Sequence, residues 1–141
     1  MTTQVKVLKV LLVVLGVGSL FALGAVLMPL SWMAATHRWL GLGEMPTDPV
    51  VEYLARCLSA FYVFFGGVCL VVASDLERYR PLARFLGAAL ALMGLVFTGI
   101  DVAAGMPWWW SAAEGPPGVA VGLWICWLAR DRGAGHSSAR P

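Results

Sequence analysis

The sequence predicts an all-α fold, a four-helix transmembrane bundle of up-down topology with both termini on the cytoplasmic side. Three observations predict it. Hydrophobic residues make up 60% of the 141 and charged residues only 13%, against about 25% charged in soluble domains. The charges are clustered: no ionisable side chain lies between Lys9 and His37 or between Arg84 and Asp101. Four apolar segments remain, about 7–30, 49–73, 82–105 and 108–129, and ~20 residues at ~1.5 Å rise cross ~30 Å of hydrocarbon. Residues 1–132 form one domain on this reading, and the polar tail 133–141 is a disordered cytoplasmic extension.

The first segment opens with Lys6 and Lys9 and then a greasy run. A secretory core is about 7–15 residues, and this run is longer, so it reads as an uncleaved signal anchor. Gly18 and Ala22 stand four apart, with Gly24 and Ala25 nearby. That spacing suits close helix approach, although glycine is also simply frequent in membrane helices. A loop follows, with Trp32 and Trp39 as interfacial anchors and a short amphipathic helix expected over 33–42. Asp48-Pro49 reads as N-cap and first position of the second helix.

The stretch DLERYRPLAR, residues 75–84, is a tight hairpin into the third helix, and Pro81 suits a helix start. Met106-Pro107 ends that helix. Trp108, Trp109 and Trp110 sit at headgroup level, one of them turned toward the bundle. The twelve residues after Pro116-Pro117 are too few to span, so the fourth helix starts near Trp110 and carries the prolines inside it, or begins as a broken helix. Freed backbone at membrane depth is tolerated where protein buries it or a watery cavity meets it.

Orientation follows from the basic residues. Lys6, Lys9, Arg78, Arg80, Arg84, Arg130, Arg132 and Arg140 fall on one side and only Arg38 and Arg56 on the other, of ten Lys and Arg in all. The positive-inside rule sets the first group in the cytoplasm.

Of the eight acids, Glu44, Asp48, Glu52, Asp101 and Glu114 fall on the outer side, and Asp75, Glu77 and Asp131 on the inner. Glu52 and Arg56 are four apart on one helix face, the favourable order for an ion pair. Asp101 lies near the C-terminal end of the third helix, where the dipole is negative, and so calls for a cation. An Asp101–Arg56–Glu52 cluster is expected. Ser111 to Glu114 matches the S-x-x-E capping box, and Glu114 otherwise faces the same cluster. Glu52, Arg56, Asp101, Glu114, Trp109 and His37 are the candidate ligand-binding residues of an outer polar pocket.

Several function classes find no support. The net charge of +2 is too small for a nucleic-acid partner. Cys57, Cys69 and Cys126 lie in apolar segments without metal spacing and read as packing residues. Walker, HExxH, GxSxG and CxxCH motifs are missing, so neither cofactor nor metal is expected. Paired acids suit proton chemistry, and intramembrane ionisable groups are functional candidates, yet an ion-pair cluster that sets helix register explains the same residues. The leading expectation is a scaffold or accessory protein whose partners are lipid, another protein or further copies of itself. The alternative is that the outer pocket binds, transports or processes a small molecule or lipid headgroup.

Helix two, RCLSAFYVFFG at residues 56–66, followed by a basic hairpin and a Gly-rich third helix, resembles the small four-helix bacterial inner-membrane proteins of the DoxX-like and domain-of-unknown-function type. The resemblance covers about half the chain. It implies a four-helix fold and a multi-pass place in the inner membrane, and it brings no catalytic residues. MPWWWSAAEGPP departs from that pattern.

Overall fold

A computed structural model describes residues 3–130. The expected tail, 133–141, lies outside the described residues, as do Arg132 and Arg140. Among the described residues six helices follow one another: α1 Thr3–Leu20, α2 Ala22–Leu27, α3 Leu30–Trp39, α4 Pro49–Ser74, α5 Arg80–Ala104 and α6 Trp108–Leu128. No strand occurs among the described residues. Three helical stretches, Thr3–Leu27, Pro49–Ser74 and Arg80–Ala104, are long and apolar enough to cross a membrane. The chain is a membrane protein with transmembrane helices. Its outward-facing side chains agree: Phe61 and Phe64 are each 70% exposed, an arrangement that suits lipid and not water.

The 21 residues of α6 measure about 31 Å at ~1.5 Å each. Its first half carries three tryptophans, Ser111, Glu114 and two prolines, and it is not one of the three stretches long and apolar enough to cross. Pro116 and Pro117 lie inside an unbroken helix, so the continuous form of the fourth helix is the one adopted.

The first segment differs from the single helix expected over 7–30. It starts at Thr3, tightens at Phe21 and ends at Leu27. At Phe21 the bonds shorten to three-residue steps, Phe21 N–H to Gly18 O and Gly24 N–H to Phe21 O, within a glycine-rich stretch of low helix propensity. Met28 turns to extended backbone, ψ 147°, because the residue before a proline is pushed out of the helical region. The expected short helix appears as α3.

The chain forms two compact units, residues 12–71 and residues 3–11 with 72–130. The unit 12–71 holds most of α1 and α4, with α2 and α3 between them. There α1 meets α4 at glycines: a Cβ on Gly66 would stand 2.7 Å from the Gly16 carbonyl, and one on Gly16 would stand 2.8 Å from Leu70. Gly18 and Gly24 have open space instead, so the close approach uses a different face from the expected one. Leu12 and Cys69 are fully buried in this unit.

In the other unit α5 packs along α6. A Cβ on Gly87 would stand 2.7 Å from the Gly122 carbonyl, and one on Gly94 would stand 2.6 Å from the Gly115 carbonyl. The two backbones touch because these positions lack side chains. Ala83, Leu86, Ile125 and Leu128 complete the buried seam. The turn 75–79 is held by Tyr79 N–H to Asp75 O at 3.0 Å and by Arg78 N–H to the Asp75 carboxylate at 3.1 Å. Pro81 then falls in the first turn of α5.

Candidate functional site

Of the candidate residues, Glu52, Arg56 and His37 belong to the unit 12–71, and Asp101, Trp109 and Glu114 to the other.

Arg56 is held on three sides. Its Nε–H donates to Glu52 Oε1 at 2.9 Å, and Nη2 donates to the same oxygen at 2.7 Å. Nη2 also donates to the Met28 carbonyl at 3.0 Å, and Nη1 donates to the Val26 carbonyl. These carbonyls stand where α2 ends, and a helix end leaves its last carbonyls without N–H partners. Arg56 supplies the missing donors and sets a positive charge at the negative end of that helix. Four of the five guanidinium N–H groups are thereby used, and the side chain stays 30% exposed.

The Glu52–Arg56 half of the expected cluster is present. The carbonyl partners went unread in the sequence, although Met28-Pro29 was a signal: a proline that stops a helix leaves orphan carbonyls behind it.

His37 lies in the last turn of α3 and its Nδ1–H donates to the Gly43 carbonyl at 3.0 Å. Arg38 pairs with Glu44 at 3.6 Å with both side chains exposed. Gly41 and Gly43 take positive φ, 72° and 85°, which lets the chain curl back so that this loop closes on itself.

Asp101 sits three residues before the end of α5. Its backbone carbonyl accepts from Met106 N–H at 2.9 Å, while Gly105 N–H donates to Val102 O at 3.2 Å. With Gly105 at φ 67°, the pair of bonds is a Schellman stop. The side chain is 6% exposed, and its Oδ2 has no hydrogen-bond partner among the described residues.

Gly87 lies against Gly122 and Gly94 against Gly115. In that register, two further turns along α5, Asp101 stands level with the first turn of α6. The positive end of α6 therefore lies beside the negative end of α5, and Asp101 falls where the two opposed dipoles meet.

The capping-box reading of Glu114 is corrected. The helix begins three residues earlier than Ser111, with Pro107 as its N-cap and no side-chain cap, because Pro107 at ψ 141° already turns the chain into it. Glu114 Oε2 instead accepts from the Trp110 indole N–H at 2.6 Å. Trp109 and Trp110 meet edge to face, with centroids 5.7 Å apart at 71°, while Trp108 is 82% exposed. One tryptophan of the triplet is thus turned outward and two are half-buried. Pro116 and Pro117 have no N–H, so the carbonyls of Ala112 and Ala113 lack their helical donors.

No family model, no curated protein and no solved structure matches the chain. Among the described residues no three His, Cys, Asp or Glu side chains gather as metal ligands.

Proposed function

We propose that the chain is a multi-pass protein of the bacterial inner membrane, a four-helix bundle with both termini cytoplasmic, related to the DoxX-like proteins. It acts as a scaffold or accessory subunit that holds lipid or a protein partner and performs no catalysis. The bonding of Arg56 carries this reading. A cation that ties Glu52 and two helix-end carbonyls together serves architecture, the role of an ion-pair cluster that sets helix register. The glycine seam supports α6 as the fourth span despite its polar first half: a helix in backbone contact along α5 shares its membrane depth.

One observation favours the second reading, a ligand pocket on the outer side. The Oδ2 of buried Asp101, without a partner among the described residues, is an acceptor in search of a donor, and an unpaired buried polar atom is expensive.

Native mass spectrometry of the detergent-purified protein decides between the two. The scaffold reading expects bound lipid or a co-purified protein, kept by Asp101→Asn and Glu114→Gln chains that fold normally. A small molecule retained by the wild type and lost from folded Asp101→Asn would overturn it in favour of the pocket.

A further inference from the structure

A cleft of about 170 Å³ opens at the other end of α4 from Arg56. Val5 and Lys9 of α1, Ala73 and Ser74 of α4, and Asp75, Leu76 and Glu77 of the following turn line it. Ala73 and Leu76 are buried and make an apolar floor. Lys9, Asp75 and Glu77 are exposed at the rim. Both signs of charge therefore face one small space.

That combination is selective. A purely anionic ligand meets two carboxylates, and a purely cationic one meets the Lys9 ammonium. A ligand with a phosphate and a primary ammonium on a short linker answers both. Its phosphate takes Lys9, and its ammonium, with three N–H donors, takes the two carboxylates. Asp75 has lone pairs to spare after accepting from Arg78 N–H, since a carboxylate offers about four acceptor sites. A quaternary ammonium has no N–H to donate. The Arg78 guanidinium lies over the Tyr79 ring at 5.5 Å.

The surroundings supply the place for lipid tails. Next to Lys9 on α1, Val10 stands exposed, within an apolar stretch long enough to cross a membrane. Both α1 and α4 belong to stretches able to cross a membrane, so the cleft lies where a bilayer surface meets them.

We propose that this cleft is a headgroup site for a zwitterionic aminophospholipid of the phosphatidylethanolamine class. The inference deepens the lipid-holding reading and rests on it.

The test reconstitutes the full chain in vesicles of equal parts phosphatidylethanolamine, phosphatidylcholine and phosphatidylglycerol, then extracts it gently for native mass spectrometry. Wild type is expected to retain phosphatidylethanolamine preferentially. The Asp75→Asn, Glu77→Gln double variant is expected to lose that preference by about tenfold, the combined effect of two solvent-side charge pairs. It should keep its melting temperature, because the amide oxygen of the introduced asparagine still accepts the Arg78 N–H. Lys9→Gln is expected to reduce phosphatidylethanolamine retention as well. Equal retention of the three lipids, preference for phosphatidylglycerol, or an unchanged preference in the folded double variant overturns the headgroup site. A wild-type chain that does not float with the vesicles at all overturns the membrane reading beneath it.

Discussion

Arg56 shows how one side chain serves two elements. Replacing it by alanine strands Glu52 and two helix-end carbonyls together, and the loss is expected at about 2–4 kcal/mol, since unpaired charged and polar groups carry the desolvation penalty. Arg56→Lys keeps the charge and loses the fork, so it should recover only part of that stability. Thermal unfolding in detergent measures both, and an Arg56→Ala chain that melts with the wild type would remove the tie. Asp101 is the reverse case. Its Oδ2 binds nothing in the described chain, so Asp101→Asn is expected to melt no lower than the wild type in the same assay. A marked drop would mean that Asp101 itself is part of a tie. The Glu52–Arg56 pair was legible because a spacing of four on a helix is a local fact. The carbonyls of Val26 and Met28 were not, because about thirty residues separate them from Arg56 and only the reversal of the chain brings them near. Glu114 was misread for a related reason: the capping box assumes a helix start at Ser111, and Pro107 starts it earlier.

Among the helices, glycine decides which faces touch. Gly122→Ala would drive a Cβ to 2.5 Å from the Gly87 carbonyl and the Ala91 nitrogen. Both are backbone atoms, so the helices themselves must separate. A loss of about 1–3 kcal/mol is expected, the usual range for overpacking, together with a looser α5–α6 pair. Gly115→Ala should behave alike, with its Cβ driven into Thr98 Oγ1, although that hydroxyl already donates to the Gly94 carbonyl and has rotamers to escape into. Gly99→Ala is the control. Nothing lies within 4 Å of its Cβ, and the change should be neutral or stabilising by about 0.5–1 kcal/mol. Comparable melting points for Gly99→Ala and Gly122→Ala would remove the seam. Helix starts were readable at Asp48-Pro49 and Pro81 because proline acts on its own backbone. The glycine faces were not, since Gly16 and Gly18 look alike until a neighbour selects one of them.

For the molecule as a whole, the proposed orientation makes a direct prediction. In a chain with Cys57, Cys69 and Cys126 replaced by alanine, a membrane-impermeant maleimide added to intact cells should label Glu44→Cys and Met106→Cys. Arg78→Cys should react only after the membrane is opened. Labelling of Arg78→Cys in intact cells reverses the topology, and equal labelling of Arg78→Cys and Met106→Cys denies that α5 crosses. By itself the sequence determined that this is a helical membrane protein and roughly where three long apolar helices run. Length, hydropathy and proline placement are properties of consecutive residues, and the bilayer demands that such segments be helical. Tertiary structure alone decided which glycines meet, that Arg56 closes the end of another helix, and that an oxygen of Asp101 finds no partner among the described residues. Those outcomes depend on distances between residues far apart in the chain, where packing of whole helices, and not local preference, sets the energy.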